Sequence, residues 1–255
     1  ELSQEESEIV KLLYTSEGTY LTHNSSYEMF YNGKEAFDSI IQDLENAKET
    51  IYMEYFIWKS DKLGEKIKDI LVKKAKEGVK IRLLFDGMGS LGTISEKYRK
   101  ELLKVGVEFK YFLDIKFALS KINYRNHRKI VTIDGNIGYT GEFNVGDEYL
   151  GLDPKFGYWR DTHLRIEGEA VGSLEYRFID DWNSQSTKKT EQLELTSDHI
   201  STPVDNYLPI QLVSSGPDNK LQKIKYSYLY MISRAKKYIY IQSPYFIPDE
   251  SVMDA

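Results

Sequence analysis

Residues 127–144 read HRKIVTIDGNIGYTGEFN, and the predicted fold extends outward from this stretch. In a strand, side chains alternate between the two faces, so His127 and Lys129 point to the same side. The apolar residues that follow predict a strand covered on both faces, and residues 134–136 (Asp-Gly-Asn) have the composition of a hairpin turn. The sequence therefore predicts two antiparallel strands with an imidazole and an ammonium near their open end.

The position of the turn determines which residue of the returning strand meets His127. A two-residue turn at Gly135-Asn136 would place Asn144 opposite His127, whereas a turn at Asp134-Gly135 would place residue 142 there. In either register we expect a polar side chain to join the imidazole and the ammonium in one small patch.

The segments around this hairpin alternate between helix and strand patterns. After a polar loop at 22–26, the patterns predict strands at 27–30, 51–58, 79–85, 107–112 and 157–166, and helices at 34–48, 66–76, 95–105 and 170–182. This order predicts an α/β fold in which a mixed β-sheet is flanked by helices.

The last part of the chain repeats an early part. AKKYIYIQSPYFI at 235–247 follows the pattern of AKETIYMEYFI at 47–57. We expect a tandem duplication with a truncated second copy: a first domain at 1–182, a polar linker at 183–206 and the start of a second domain at 207–255. By this spacing, a second His motif would fall about 60 residues beyond the last residue.

Bulk properties restrict the class of protein. The chain has 255 residues, is 41% hydrophobic, carries a formal charge of -6 and contains no cysteine. It is long enough for a sizeable core, gives no general attraction to nucleic acid and is compatible with the cytosol. No window has the roughly 18 apolar residues that span a bilayer, so we expect the chain as given to be soluble. Because it begins with Glu1 and not Met, we expect a targeting or membrane segment upstream.

Two further stretches have two interpretations each. The glycine-rich loop at 86–92 either cradles a phosphate or is an ordinary turn, since it lacks a known phosphate-binding spacing. The stretch at 112–122 mixes apolar and basic residues, so it either rests on an anionic lipid surface or is a packed loop. His163 is predicted to be structural.

A family resemblance rests on the spacing of five residues. His127-x-Lys129, Asp134 and Gly141-x-x-Asn144 resemble the signature of the phospholipase D superfamily. RNHRKI at 125–130, GDEYLG at 146–151 and YWRD at 158–161 resemble bacterial cardiolipin synthases more closely, and the resemblance runs from about residue 27 to 247. Two departures stand out: Glu142 occupies a position where the family usually has Gly or Ser, and a second motif is missing.

The resemblance implies a phospholipase D-like fold and a role for each motif residue. His127 would be the nucleophile that forms a phosphohistidine, and Lys129 and Asn144 would hold the non-bridging phosphate oxygens. Asp134 belongs to the catalytic motif, although an Asp before a Gly is also ordinary turn chemistry. Asp161 would orient an imidazole. The resemblance implies no metal and no cofactor.

The implied reaction joins two phosphatidylglycerol molecules into cardiolipin at the cytoplasmic membrane of a bacterium. The implied partners are a phospholipid substrate, a membrane surface and a second motif-bearing domain, in cis or from a homodimer partner, and not nucleic acid. Three alternatives stay open: another phosphatidyl transferase or phospholipase, a nuclease, which the acidic chain disfavours, or an inactive half-enzyme that binds phosphate or lipid without turnover.

Overall fold

The structure is a computed structural model that describes residues 3–17, 20–113, 125–194, 208–216 and 221–255. The chain forms two compact units. The larger, which we call the sheet unit, runs from His23 to Pro209. The smaller, the terminal unit, combines the residues up to Thr22 with those from Ile210 on.

The described chain contains helices and strands in alternation. The helices are α1 (Gln4–Glu17), α2 (Gly33–Asn46), α3 (Lys62–Lys76), α4 (Glu96–Lys104), α5 (Ala170–Ser184), α6 (Lys223–Arg234) and α7 (Glu250–Asp254). The strands are β1 (Leu21–Asn32), β2 (Thr50–Tyr55), β3 (Lys80–Asp86), β4 (Glu108–Phe112), β5 (Ile130–Ile133), β6 (Ile137–Gly141), β7 (Arg160–Gly168) and β8 (Leu208–Gln211).

The strands form one mixed sheet in the order β4-β3-β2-β5-β6-β7-β1-β8. β2, β3 and β4 run parallel to one another and are connected by α3 and α4. From β2 through β5, β6 and β7 to β1, neighbouring strands pair antiparallel. The predicted α/β fold with a mixed sheet flanked by helices is therefore confirmed.

β2 lies inside the sheet and is buried on both faces. Ile51 and Met53 belong to the apolar cluster that also contains the buried side chains of α2 and α3. Tyr52 points the other way and stacks on Phe178 of α5, with ring centroids 5.0 Å apart. Since each such side chain contributes roughly 1.5–3 kcal/mol when fully buried, this packing holds the end of β2 firmly in place.

The hairpin between β5 and β6 has a three-residue turn, so both predicted registers are wrong. Ile133 pairs with Ile137, which leaves residues 134–136 in the turn. The first two turn residues have positive φ angles, 51° and 64°, a conformation that Asp and Gly tolerate better than most residues. Extended beyond the strands, this register brings residue 143 opposite His127.

The polar stretch at 22–26, predicted to be a loop, is part of β1. Ser25 pairs with Gly168 of β7, and its buried hydroxyl accepts a hydrogen bond from the Ala170 amide at 2.9 Å. Pairing with a neighbouring strand therefore outweighs the low strand propensity of this sequence. The other predicted helices and strands of the sheet unit are present, with boundaries shifted by up to four residues.

The terminal unit differs from the predicted domain division, which placed residues 1–182 together. Instead, α1 packs with α6, and Arg234 donates to the Glu8 carboxylate at 2.9 Å while Lys236 pairs with Glu5 at 2.6 Å. Surface ion pairs contribute little individually, but these contacts show which segments lie together: the first residues of the chain associate with its last part.

The segment at 237–247, predicted to repeat β2, forms no strand. Tyr240 and Ile247 are each 87% exposed. A strand requires neighbours for its N–H and C=O groups, and no strand in the described ranges pairs with this segment. The duplication therefore stays a prediction. Residues 195–206 of the predicted linker and 114–122 of the lipid-surface stretch lie outside the described residues.

Candidate active site

His127 lies in an irregular segment, residues 125–129, that leads into β5. Its side chain is 61% exposed. The ring packs against that of Phe56, which directly follows β2, with centroids 4.6 Å apart. The imidazole is therefore placed where β2 ends and β5 begins, with one face covered and its edge open to solvent.

Lys129 is the buried partner of His127, with a side chain that is 1% exposed. Its Nζ lies 2.8 Å from His127 Nδ1, 2.8 Å from the His127 carbonyl oxygen and 3.1 Å from Glu142 Oε2. An ammonium has three N–H donors, so these three acceptors use all of them. The expected meeting of an imidazole, an ammonium and a polar side chain is present, and Glu142 is the third member.

The charges of this cluster favour a neutral imidazole. Burial lowers the pKa of His127 and the Lys129 charge lowers it further, against smaller opposing effects of Glu142 and Asp86. Burial also lowers the pKa of Lys129, against the opposing charges of Glu142 and Asp161. His127 is therefore uncharged near pH 7 and has a nitrogen lone pair for nucleophilic or base chemistry.

The hydrogen bond from Lys129 determines which imidazole nitrogen carries the proton. An ammonium only donates, so Nδ1 of His127 accepts from it and the proton is on Nε2. Nε2 makes no hydrogen bond to a described residue. Attack through Nε2 therefore requires the proton to move to Nδ1, which ends the hydrogen bond that Nδ1 accepts from Lys129.

Asn144, predicted to bind substrate, is buried and already hydrogen-bonded on both sides of its amide. Oδ1 accepts from the Ile57 backbone N–H at 3.0 Å, and Nδ2 donates to the Tyr149 hydroxyl at 2.8 Å. The structure therefore does not place Asn144 opposite His127, because the three-residue turn changes the register. One N–H of Nδ2 is left to bind a ligand.

Asp134, predicted to be catalytic, lies at the far end of β5. Its carboxylate accepts from the backbone N–H groups of Lys48, Glu49 and Thr50 at 2.7–2.9 Å. It lies five positions after Lys129, a span of roughly 16 Å in extended chain. Direct contact with the His127 cluster is excluded by this distance, and the carboxylate instead holds the turn that leads into β2.

Asp161, predicted to orient an imidazole, lies within electrostatic range of Lys129, and its charge raises the pKa of that ammonium. It makes no hydrogen bond to His127. Its Oδ1 accepts from the backbone N–H of Thr162 at 2.8 Å. The structure therefore brings Asp161 to the Lys129 side of the cluster.

His163 lies directly behind this cluster. It pairs with Gly141 across β6 and β7, and a Cβ at Gly141 would come within 2.5 Å of its Nδ1. The ring is fully buried and stacks on Phe143 at 5.7 Å, and neither ring nitrogen has a hydrogen-bond partner among the described residues. Burial and the nearby Lys129 charge lower the pKa of His163 to about 3.

Sequence reasoning missed a buried polar network beneath residues 125–128. Its members are buried or half-buried and lie at the ends of β2 and β3, in the segment before β5 and in α5. They are Glu54, Asp86, Asn126, Arg128 and Asp181. One signal was available, since Glu54 is a carboxylate within an otherwise apolar and aromatic strand, where a charge is rarely placed without a partner.

The glycine-rich loop after β3 has its amides occupied. Asp86 Oδ1 accepts from the N–H groups of Met88 and Gly89 at 2.8 and 2.9 Å. These contacts favour the ordinary-turn interpretation over a phosphate cradle. In the described ranges, no helix has the length and apolar character needed to cross a bilayer.

Comparisons with known proteins agree with the motif spacing. Residues 40–169 match the family model described as cardiolipin synthase, PLD-like domain. The chain is 46% identical over 252 residues to a cardiolipin synthase of Oceanobacillus iheyensis, covering 98% of this chain and 52% of that protein. It is 43% identical over 259 residues to the major cardiolipin synthase ClsA of Bacillus subtilis, covering 97% and 52% respectively. The chain thus spans about half the length of the curated relatives it matches.

A solved structure supports the fold. The phosphatidylserine synthase of Haemophilus influenzae matches with a TM-score of 0.54 over 71% of this chain and 42% of that one. Sequence identity is 16%, so this similarity concerns the fold alone.

Proposed function

Because the chain belongs to the cardiolipin synthase family with a phospholipase D-like domain, we propose that it builds a site for phosphatidyl transfer, in which two phosphatidylglycerol molecules give cardiolipin and glycerol. The observation that carries this proposal is the pairing of His127 with Lys129: a neutral imidazole with an open edge lies 2.8 Å from a buried ammonium. A nucleophile and a phosphate-binding charge are thereby adjacent.

In the proposed first step, His127 reacts as the tautomer that carries its proton on Nδ1, and its Nε2 attacks the phosphorus of one phosphatidylglycerol. The bond from phosphorus to the headgroup glycerol oxygen breaks, and the phosphatidyl group is held as a phosphohistidine. The leaving oxygen takes a proton from a general acid and departs as glycerol. In the second step, a hydroxyl of another phosphatidylglycerol loses its proton to a general base and attacks phosphorus, which releases cardiolipin and the free imidazole.

Lys129 and Asn144 are proposed to bind the non-bridging oxygens. Since all three Lys129 donors have partners, a phosphate oxygen must replace one of them, and exposed Glu142 is the partner that can swing away without disturbing the fold. Asn144 contributes its remaining N–H. Asp161 supports the charge of Lys129 in this scheme.

The general acid is proposed to be the histidine of a second motif, because the sequence contains one His-x-Lys pair. That motif would come from a domain in cis or from a second copy of this chain. The site would work at a membrane surface, the bacterial cytoplasmic membrane, where the phospholipid substrates lie.

The test is to incubate the full chain with phosphatidylglycerol vesicles and to measure cardiolipin and free glycerol. We expect equal amounts of both products from the unaltered chain and none from His127→Ala. His23→Ala is the matched control, because His23 is an exposed histidine outside the site. Products that persist in His127→Ala would contradict the proposal.

A second candidate function is binding without turnover by an inactive half-enzyme. It is favoured by the single motif and by the Glu142 carboxylate on Lys129. Vesicle binding that depends on Lys129, with no product at any protein concentration, would select it. A phospholipase would release glycerol or free headgroup without cardiolipin, so the same product analysis separates transfer from hydrolysis.

A further inference from the structure

His127 is held precisely although its segment is not part of the sheet ladder. β5 begins at Ile130, so the backbone at 125–129 lacks strand pairing. The backbone polar groups beside the imidazole have other partners. The His127 carbonyl accepts from Lys129 Nζ at 2.8 Å, the Asn126 N–H donates to Asp86, and the Arg128 N–H donates to the Asn126 side chain. Something other than the sheet must therefore fix the direction of the imidazole.

Asn126 makes the hydrogen bonds that hold residues 125–129 in the absence of strand pairing. It is 3% exposed. Its Oδ1 accepts from the Arg128 backbone N–H at 3.1 Å, which closes a tight loop over His127. Its backbone N–H donates to Asp86 Oδ2 at 3.0 Å, and its Nδ2 donates to Glu54 Oε1. The asparagine thus links the histidine loop to the ends of two neighbouring strands, β2 and β3.

The two carboxylates that hold Asn126 are themselves fixed. Asp86 is 1% exposed, and its other oxygen accepts from the Met88 and Gly89 amides. Glu54 is also 1% exposed. Because both carboxylates are fixed, a shift of Asn126 would break its hydrogen bonds to them. Together with the bond from the Arg128 N–H, these contacts define one position for the loop.

The buried position of Glu54 shifts the pKa of its carboxyl group well above the ordinary value. Burial raises its pKa and the charge of nearby Asp181 raises it further, with smaller opposing effects of Arg128 and Asn126. Its Oε2 has no hydrogen-bond donor among the described residues. Its Oε1 accepts from Asn126 Nδ2, and this contact fixes the Asn126 amide against the end of β2.

We propose that Asn126 is a positioning residue for His127, and that Glu54 and Asp86 act as its fixed anchors from β2 and β3. The asparagine holds the loop so that the imidazole stays against Phe56 with Nδ1 toward Lys129. The catalytic meaning of this position rests on the proposed function, since the position matters for turnover only when His127 is the nucleophile. The ordering of the ring itself is independent of that function.

The ordering is measured by nitrogen NMR of the imidazoles. The full chain is labelled with ¹⁵N, and its four histidines are assigned with the help of His127→Gln. We expect one narrow set of His127 signals in the unaltered chain, and signals broadened at least about twofold by exchange in Asn126→Ala. Asn32→Ala is the matched control, because it removes another asparagine hydrogen bond, the cap of α2, away from residues 125–128.

A second pair of variants keeps the test decisive if Asn126→Ala does not fold. Glu54→Gln retains an acceptor for Asn126 and gains an amide donor toward Asp181, whereas Glu54→Leu has similar volume without either group. We expect narrow His127 signals in Glu54→Gln and broadened ones in Glu54→Leu. Unchanged His127 signals in a folded Asn126→Ala, or equal signals in the two Glu54 variants, would overturn the proposal.

Turnover provides the readout that links position to catalysis. In Asn126→Ala we expect kcat for phosphatidylglycerol to fall roughly ten- to hundredfold, with KM within twofold, and Glu54→Gln to retain most of kcat. If the unaltered chain makes no product, this chain alone does not carry out the proposed transfer, while the NMR comparison still decides this inference. A kcat that is unchanged while the ring becomes mobile would overturn the positioning role.

Discussion

Lys129 holds its ammonium between an imidazole and a carboxylate, and these two neighbours affect it in opposite ways. The carboxylate of Glu142 raises the pKa of Lys129 and so keeps it charged despite its burial. The same carboxylate occupies a donor that a phosphate oxygen needs. Glu142 therefore preserves the charge of the site and competes for it, and its two effects are separable by substitution.

We predict that Glu142→Gly strengthens the binding of glycerophosphoglycerol, the deacylated headgroup of phosphatidylglycerol. Because the carboxylate of this pair is 56% exposed and water screens it, the pair contributes about 1 kcal/mol. The expected fall in Kd is therefore roughly threefold to fivefold, and turnover should rise with it. Titration calorimetry at pH 7 measures the change. Glu77→Gly is the control, since the exposed carboxylate of Glu77 likewise pairs with a buried lysine, Lys74, at 2.7 Å. Unchanged or weaker binding in Glu142→Gly would refute the competition.

Losing this carboxylate also has a predicted pH effect. Since Glu142 raises the pKa of Lys129, its replacement by Gln lowers that pKa further. Lys129 then loses its charge at a lower pH, so the alkaline limit of headgroup binding should move toward neutral pH in Glu142→Gln. Binding measured from pH 7 to pH 10 tests this. A limit that stays in place, or moves to higher pH, would contradict the role assigned to Glu142.

His163 predicts the acid sensitivity of the fold. Its pKa is about 3 in the folded chain and near 6.5 when unfolded, so the unfolded state binds a proton first as pH falls. Stability is therefore complete above pH 6.5 and declines toward pH 3, by about 2 kcal/mol at pH 5. Urea unfolding at pH 7 and pH 5 should show a smaller decline in His163→Phe, which keeps the stacked ring, and an unchanged decline in His23→Gln. Equal declines in all three proteins would argue against this origin.

At the scale of elements, the open end and the turn of the β5–β6 hairpin have different roles. Its open end carries Lys129, and its turn carries Asp134, whose carboxylate satisfies three backbone N–H groups ahead of β2. Both ends of the hairpin lie beside β2. The open end lies beside the last residues of β2, and the turn lies beside its first residue. β5 fills the spacing between Lys129 and Asp134, so the length of this strand places Asp134 in the turn.

We predict that Asp134→Ala lowers the free energy of unfolding by roughly 2 kcal/mol, because it leaves the N–H groups of exposed Lys48 and Glu49 and half-buried Thr50 without a charged acceptor and places Ala at a φ of 51°. Asp134→Asn keeps one acceptor oxygen and tolerates this φ, so it should lose about half as much. Turnover per folded molecule should stay within twofold in both. A stable Asp134→Asn chain that has lost its turnover would restore a catalytic role.

The sequence predicted the order of elements because apolar periodicity reports burial, and burial dominates β2, α2 and α3. Sequence patterns did not predict the features that depend on tertiary contacts. The register of the hairpin depends on one extra residue, Asn136, that composition does not reveal. The anchoring of Asn126 depends on strands that are distant in sequence, although the isolated carboxylate of Glu54 indicated that a buried partner existed.

At the scale of the whole molecule, net charge and local charge lead to different partners. The chain carries a formal charge of -6, which opposes an anionic bilayer as well as nucleic acid. Under the proposed function, Lys129 and its surroundings would therefore recognise phosphate one headgroup at a time. This favours a small phosphodiester ligand presented at a surface over a polyanion that needs a broad basic face.

The number of histidines that the reaction needs determines how activity depends on protein concentration. If transfer requires a nucleophile from one motif and an acid from another, and two copies supply them, activity rises with the square of protein concentration at low concentration. At a concentration where nearly all chains are paired, adding an equal amount of His127→Ala chain should then halve the activity per unaltered chain, because half of its partners lack the imidazole. First-order activity that is indifferent to His127→Ala would show that one motif suffices and would refute the two-histidine scheme. Activity that is absent at every concentration and appears only when a second motif is fused to the same polypeptide would place the partner in cis.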